Sequence, residues 1–158
     1  MRKPTVLFVC TGNACRSQMA EALCRRIAGD RLEVHSCGST PAGYIHPLAV
    51  DTMAAMGVPM EGQSSKSWDA YLARDIDVAV TVCDSADAMC PVFPGGGVKV
   101  HWPMPDPSFL PGTEEERHEF CHRVAQRLEL KITRMVDLIL QGLPQAQLKA
   151  ELDKLTDL

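Results

Sequence analysis

One stretch constrains this chain more than any other: VLFVCTGNACRSQMAEAL, residues 6–23. Its first four residues are apolar without interruption, as in a strand covered on both faces, and its second half is helix-forming. A strand that runs through a short polar turn into a helix opens a sheet with helices packed on it. The alternation continues. Residues 32–35, 77–82 and 98–101 read as further strands. Residues 17–28 place Met19, Leu23 and Ile27 on one helix face, and 46–56 reads as a helix ending at Gly57. Residues 114–140 carry Phe120, Val124, Leu128, Ile132, Met135 and Ile139 at steps of three or four, the spacing of a long amphipathic helix. The fold class is therefore α/β, a single-domain open, mainly parallel sheet flanked by helices.

Ligands of such sheets bind beyond the carboxyl ends of the strands. Cys10, Cys83 and the segment holding Asp106 all fall at such ends. Pro103, Pro105, Pro107 and Pro111 keep that segment, 102–112, from regular structure. We divide the chain into a main domain, residues 1–142, expected to carry any catalysis, and a helical extension, 143–158. In the extension Leu148, Leu152 and Leu155 recur at helical spacing, either to pack on the same domain or to meet a partner.

Formal charge is −4, from 16 Lys and Arg against 20 Asp and Glu, with no long basic run. That disfavours nucleic acid or an anionic membrane as the main partner, and leaves open a small anion in a local cationic pocket. The opening MRKPTVLFVC lacks the long apolar core of a signal peptide, and no segment is long enough to span a bilayer, so a cytoplasmic protein is expected. Seven cysteines, an odd number, stand at Cys10, Cys15, Cys24, Cys37, Cys83, Cys90 and Cys121. In a reducing compartment these are free, metal-bound or catalytic thiols rather than a static disulfide frame.

Between the first strand and its helix, residues 10–16 form a C-x5-R pattern followed by Ser17. Backbone N–H groups of Thr11, Gly12, Asn13, Ala14 and Cys15, curled into a nest at a helix start, suit a tetrahedral oxyanion. Gly12 and Asn13 are residue types that tolerate the left-handed backbone of such a curl. Arg16 would add a planar fork of donors for two anion oxygens. The same cationic surroundings would hold the Cys10 thiol low, and Ser17 would donate to its sulfur. The plainer alternative is a buried cysteine beside an ordinary helix start, with Arg16 in solvent. No lysine occupies the position that a G-x4-G-K-[ST] nucleotide loop requires.

CTGNACRSQMAE resembles the signature of the thioredoxin-coupled arsenate reductases, which share the low-molecular-weight tyrosine phosphatase fold. The likeness runs from about residue 4 to 140 and leaves the C-terminal extension outside it. Both branches use this loop. Gln18 stands where the phosphatases usually carry proline and the reductases glutamine. The resemblance implies that Cys10 attacks arsenate and that Asp106 is the general acid for the departing oxygen. Read alone, Asp106-Pro107 is equally a turn with a solvated carboxylate.

The resemblance also assigns VTVCDSADAMCP a role. Cys83 attacks Cys10, arsenite departs, Cys90 attacks Cys83, and thioredoxin reduces the resulting Cys83–Cys90 disulfide. A phosphatase has no use for either thiol, since water hydrolyses its phospho-cysteine. Without the resemblance the two read as unrelated core cysteines or half of a zinc site. If 83–90 is helical, seven steps of about 1.5 Å put the two α-carbons about 10.5 Å apart. A disulfide needs them within roughly 7 Å, so the segment must unwind when the pair joins.

Cys15 is read as supporting the loop or modulating Cys10, Cys24 and Cys37 as small core residues, and Cys121 as lying on the long helix. His118 and His122, four apart, read as a solvated face rather than a metal clamp, and no metal or organic cofactor is assigned. Some relatives bind potassium beside the loop through residues matching Asn13, Glu21 and Ser36 plus an aspartate. Lys66 stands at the aspartate's place, and its ammonium is expected to replace the ion. The first expected function is reduction of arsenate to arsenite by a monomer whose site takes arsenate or a phosphate-like oxyanion, with thioredoxin as partner and some residual phosphatase activity. The second is a low-molecular-weight protein-tyrosine phosphatase acting through a Cys10 phospho-cysteine, with only Phe109 in PSFLPG to grip an aromatic ring. The third is a non-catalytic thiol module that binds metal or senses redox state.

Overall fold

A computed structural model describes residues 2–158. Four strands, β1 (Thr5–Cys10), β2 (Glu33–Gly38), β3 (Val78–Thr81) and β4 (Val98–His101), form one sheet in the order β2-β1-β3-β4, with every neighbouring pair parallel. β1 lies inside the sheet and all six of its residues are buried, which is what its uninterrupted apolar run requires. β2 runs on past His35 to Gly38, because its pairing with β1 continues until Cys10 meets Gly38.

The helices are α1 (Arg16–Ala28), α2 (Pro47–Ala55), α3 (Asp84–Met89), α4 (Glu114–Leu140) and α5 (Gln145–Asp153). α4 starts where a capping box places it: Thr113 Oγ1 accepts the Glu116 N–H at 3.1 Å, and Glu116 Oε1 accepts the Thr113 N–H at 3.2 Å. Its stripe of Cys121, Val124, Leu128, Ile132 and Met135 is buried, and α4 packs on α1 and α2. Asp106–Leu110 is less irregular than its prolines suggest, since Pro107–Phe109 closes a short 3-10 turn.

α5 packs against β4 and α4, burying Leu152, and Leu155 is buried in the short 3-10 turn that follows. The tail is tied down by a buried lysine. Lys131 Nζ donates to the carbonyls of Leu155 at 2.6 Å and Thr156 at 2.7 Å, and lies 5.8 Å from the Trp102 ring. Trp102 follows β4 directly, so the tail braces the strand from which the Asp106 segment leaves. Among the described residues, no helix is long and apolar enough to cross a membrane.

The chain passes from β1 outward to β2, then returns to the other side of β1 for β3 and β4. The connections leaving β1 and β3 therefore diverge and open a crevice at their carboxyl ends. Cys10 ends β1, and Cys83 follows β3 by two residues. The end of β2 presses on the same place: a Cβ on Gly38 would lie 2.4 Å from the Thr11 carbonyl oxygen and 3.0 Å from the Asn13 nitrogen. Gly38→Ala is expected to lower stability by about 1–3 kcal/mol and to displace the loop. Urea unfolding checks it; an unchanged midpoint would mean that the loop yields without cost.

Candidate active site

The loop after β1 is turned inside out by hydrogen bonds. The carbonyls of Cys10, Thr11, Gly12 and Ala14 accept N–H groups of Ser39, Thr40, Ala42 and His46 at 2.8–3.2 Å. With the carbonyls held outward, backbone N–H groups are left for the inside of the curl, as an anion nest requires. Asn13, at φ 47°, is the only non-glycine residue with a left-handed φ among those described. Gly12 is not left-handed, and a Cβ there would meet only Ala14 and Ala42 at 4.0 Å, so the curl rests on Asn13 rather than on the expected pair.

Asn13 is fully buried and its side chain is fully bonded. Nδ2 donates to Ser17 Oγ at 2.8 Å and Ser36 Oγ at 2.9 Å, while Oδ1 accepts the Lys66 N–H at 2.9 Å. Ser36 passes the chain on to Glu21 Oε1 at 2.6 Å. Gln18 ties the loop to the segment before Lys66, its Nε2 donating to the Asn13 carbonyl and to the Ser64 carbonyl, both at 2.9 Å.

Cys10 Sγ lies 2.8 Å from Ser17 Oγ and accepts the Asn13 N–H at 3.2 Å. Burial, with 2 % of the residue exposed, pushes the thiol up. The Ser17 hydrogen bond and then the Arg16 charge pull it down, but burial prevails and the net direction is upward, not the low value expected from a cationic loop. Arg16 explains part of the difference, because its charge is shared. Nη2 pairs with Asp106 Oδ2 at 3.3 Å, and Nη1 donates to the Met104 carbonyl at 2.9 Å.

Asp106 is held on its other oxygen by Ser108, whose N–H and hydroxyl donate to Oδ1 at 3.0 and 2.7 Å. Cys83 stands at the N-terminal end of α3. Its Sγ lies 3.1 Å from Thr11 Oγ1, which also lies 2.8 Å from Ser85 Oγ. Cys10, Arg16, Cys83 and Asp106 thus line one cavity of about 460 Å³, with Thr11, Gly12, Ala14 and Cys15 in its wall and exposed Tyr44 and Phe109 at its mouth. Ser17 sits behind it, against the sulfur. Cys90 is not among the lining residues. It follows the far end of α3, half-buried, with burial pushing its thiol up and Lys99 pulling it down.

All seven cysteines are free. Cys24 and Cys37 are core residues, burial pushing Cys24 up to about 12. Cys121 lies on α4 as expected and points at Met19 and the Leu48 carbonyl. His118 turns to Asp51 and the Glu114 carbonyl, and no group of three His, Cys, Asp or Glu able to hold a metal is found among the described residues. Sequence reading missed three contributions: Thr11 as the contact of Cys83, Ser108 as the anchor of Asp106, and Tyr44 at the mouth. Ser108 was readable, since serine two residues after an aspartate fits an Asx turn. The other two carry no local signal.

The sequence pattern of the family described as low molecular weight phosphotyrosine protein phosphatase matches residues 5–153. An arsenate reductase of Halalkalibacterium halodurans is 37% identical over 132 residues, spanning 84% of this chain and 94% of its own length. A solved structure described as an arsenate reductase in the phosphate binding state superposes with a TM-score of 0.68 at 26% identity, over 85% of this chain and 97% of its own. A thioredoxin-dependent arsenate reductase of Corynebacterium glutamicum superposes with a TM-score of 0.63 at 29% identity, over 87% of this chain and 63% of its own.

The Ser17 contact is the largest single influence lowering the Cys10 thiol. Ser17→Ala is expected to move the pH profile of Cys10 alkylation by iodoacetamide upward and to slow the reaction at pH 7 about tenfold. A profile identical to wild type would mean that the 2.8 Å contact does not act on the thiolate.

Proposed function

The chain belongs to the low molecular weight phosphotyrosine protein phosphatase family, in its arsenate reductase branch, and from that premise we propose that it reduces arsenate to arsenite by a relay of three thiols regenerated by thioredoxin. The observation that carries the reading is the shared cavity, which Cys10 and Cys83 both line, Cys83 beside the Thr11 hydroxyl, while Cys90 stands at the other end of α3. One thiol suffices for a phosphatase. Three in this order supply the two electrons that arsenic must gain and a route by which they are replaced.

Arsenate enters the nest of N–H groups and competes with Asp106 for the Arg16 fork. The Cys10 sulfur attacks arsenic as its thiol proton passes to an arsenate oxygen, and Asp106, which takes up a proton once freed from that ion pair, gives it to the departing oxygen, which leaves as water. Cys83 then attacks the Cys10 sulfur. The electron pair of the sulfur–arsenic bond passes to arsenic, arsenite leaves, and a Cys10–Cys83 disulfide remains. Cys90 attacks Cys83 and releases Cys10, and the Cys83–Cys90 disulfide is reduced by the dithiol of thioredoxin. The chain acts as a monomer, in a reducing compartment such as the cytoplasm, where free thiols persist.

A second reading, hydrolysis of aryl phosphates, is favoured by Tyr44 and Phe109 at the mouth of the cavity. Steady-state NADPH oxidation with thioredoxin, thioredoxin reductase and arsenate separates the two. Wild type should turn over, and Cys83→Ser and Cys90→Ser should each lose roughly a hundredfold or more. Absence of arsenate-dependent turnover, with p-nitrophenyl phosphate hydrolysis surviving both substitutions, would make the protein a phosphatase.

We propose further that no potassium ion is required beside the loop. The oxygens that would hold one are engaged: Asn13 Oδ1 by the Lys66 N–H, and Glu21 by Ser36, by Arg25 at 2.7 Å and by the Lys66 ammonium at 3.8 Å. These residues do not fit an ion as they stand. Lys66→Asp is expected to make turnover rise with potassium; a wild-type enzyme already stimulated by potassium would contradict the replacement.

A further inference from the structure

The relay, on which this inference rests, needs α3 to come apart each time Cys83 joins Cys90. We propose that His101, with Thr81 and Lys99, forms a catch that holds α3 helical while the two thiols are reduced, and so sets how readily they close into a disulfide.

α3 is only six residues long and contains Asp84, Ser85 and Asp87, residue types that favour caps and turns over helix interiors. A helix this short does not stand on its own in water. Its apolar anchorage is slight: Ala86 is buried, but Met89 is 68 % exposed. Polar bonds to the sheet take the place of packing. His101 Nε2 lies 2.8 Å from Asp84 Oδ1, Thr81 Oγ1 donates to Asp87 Oδ1 at 2.8 Å, and Lys99 Nζ donates to the Asp87 carbonyl at 3.2 Å. His101 Nδ1 lies 2.8 Å from Thr81 Oγ1, so one ring spans both attachments.

The two halves of this catch have different fates. Thr81, Lys99 and His101 belong to β3 and β4, which stay in the sheet, and the His101 carbonyl is further braced by the Thr156 hydroxyl at 3.2 Å. Asp84 and Asp87 belong to the helix that must unwind. Joining Cys83 to Cys90 therefore pulls both carboxylates from their sheet partners. His101 touches no reacting atom; it positions the thiol pair by holding the segment between them. Loosening the catch should favour the disulfide.

The test uses the full chain without arsenate, in wild type, Asp84→Ala, His101→Ala and the double variant. Two quantities are read: hydrogen exchange of the Asp87 and Cys90 amides in the reduced protein, and the reduction potential of the Cys83–Cys90 pair in dithiothreitol buffers. Asp84 is a safe site for substitution, since its side chain is 90 % exposed. Each single variant is expected to quicken exchange and to raise the equilibrium constant for disulfide formation about two- to fivefold, a potential about 10–20 mV more negative. The double variant should match His101→Ala, because the two substitutions remove a shared bond. Unchanged exchange, quickened exchange with an unmoved potential, or strictly additive effects would each overturn the catch. Failure of arsenate turnover would count against the relay alone, since neither reading uses arsenate.

Discussion

The left-handed turn at Asn13 is the constraint on which the site depends, and it is held from several sides at once. Its φ of 47° puts the loop into a conformation that non-glycine residues seldom adopt. Asparagine is among the types that tolerate it, and here each polar group of the side chain is bonded inside the core, to Ser17, Ser36 and Lys66. Around that turn the neighbouring carbonyls are pulled outward by residues 39–46, and the N–H of Asn13 itself points at the Cys10 sulfur. Ser17 is shared between Asn13 and Cys10, so the turn and the Cys10 thiol are parts of one hydrogen-bond network. Gly38 permits the close approach of β2 that braces it.

The second constraint is topological. Because β2 and β3 lie on opposite sides of β1, the segments leaving β1 and β3 part at their carboxyl ends. A thiol placed at each of those ends lines the same crevice without any long-range recognition between the segments. β4 then leads to Asp106: its end is fixed by Trp102 and by the tail that Lys131 secures, and the chain turns from there to the carboxylate. Cys10, Cys83 and Asp106 are thus each positioned by the end of a different parallel strand.

Much of this was legible in the residues. The covered strand β1, the amphipathic α4 and the alternation between them required an α/β sheet, and the strand ends already marked Cys10, Cys83 and Asp106. Other features depend on distances across the fold that no local pattern records. Thr11 reaches Cys83 across 72 positions of sequence, and Tyr44 comes to the mouth from a loop with no distinguishing composition. Likewise His101 meets Asp84 only because β4 lies beside β3. The Cys10 thiol departs from the sequence expectation for a related reason: the sequence displays Arg16 but neither the depth of burial nor the pairing of Arg16 with Asp106, and burial decides the direction.

The relay is tested most directly by a single turnover. Fully reduced protein is mixed with excess arsenate and no external reductant, arsenite is quantified, and the disulfide is mapped by mass spectrometry of peptides. The relay predicts one arsenite per chain, a Cys83–Cys90 disulfide and a free Cys10 thiol. Arsenite formed while Cys83 and Cys90 both remain free thiols, or no arsenite at all, would contradict it.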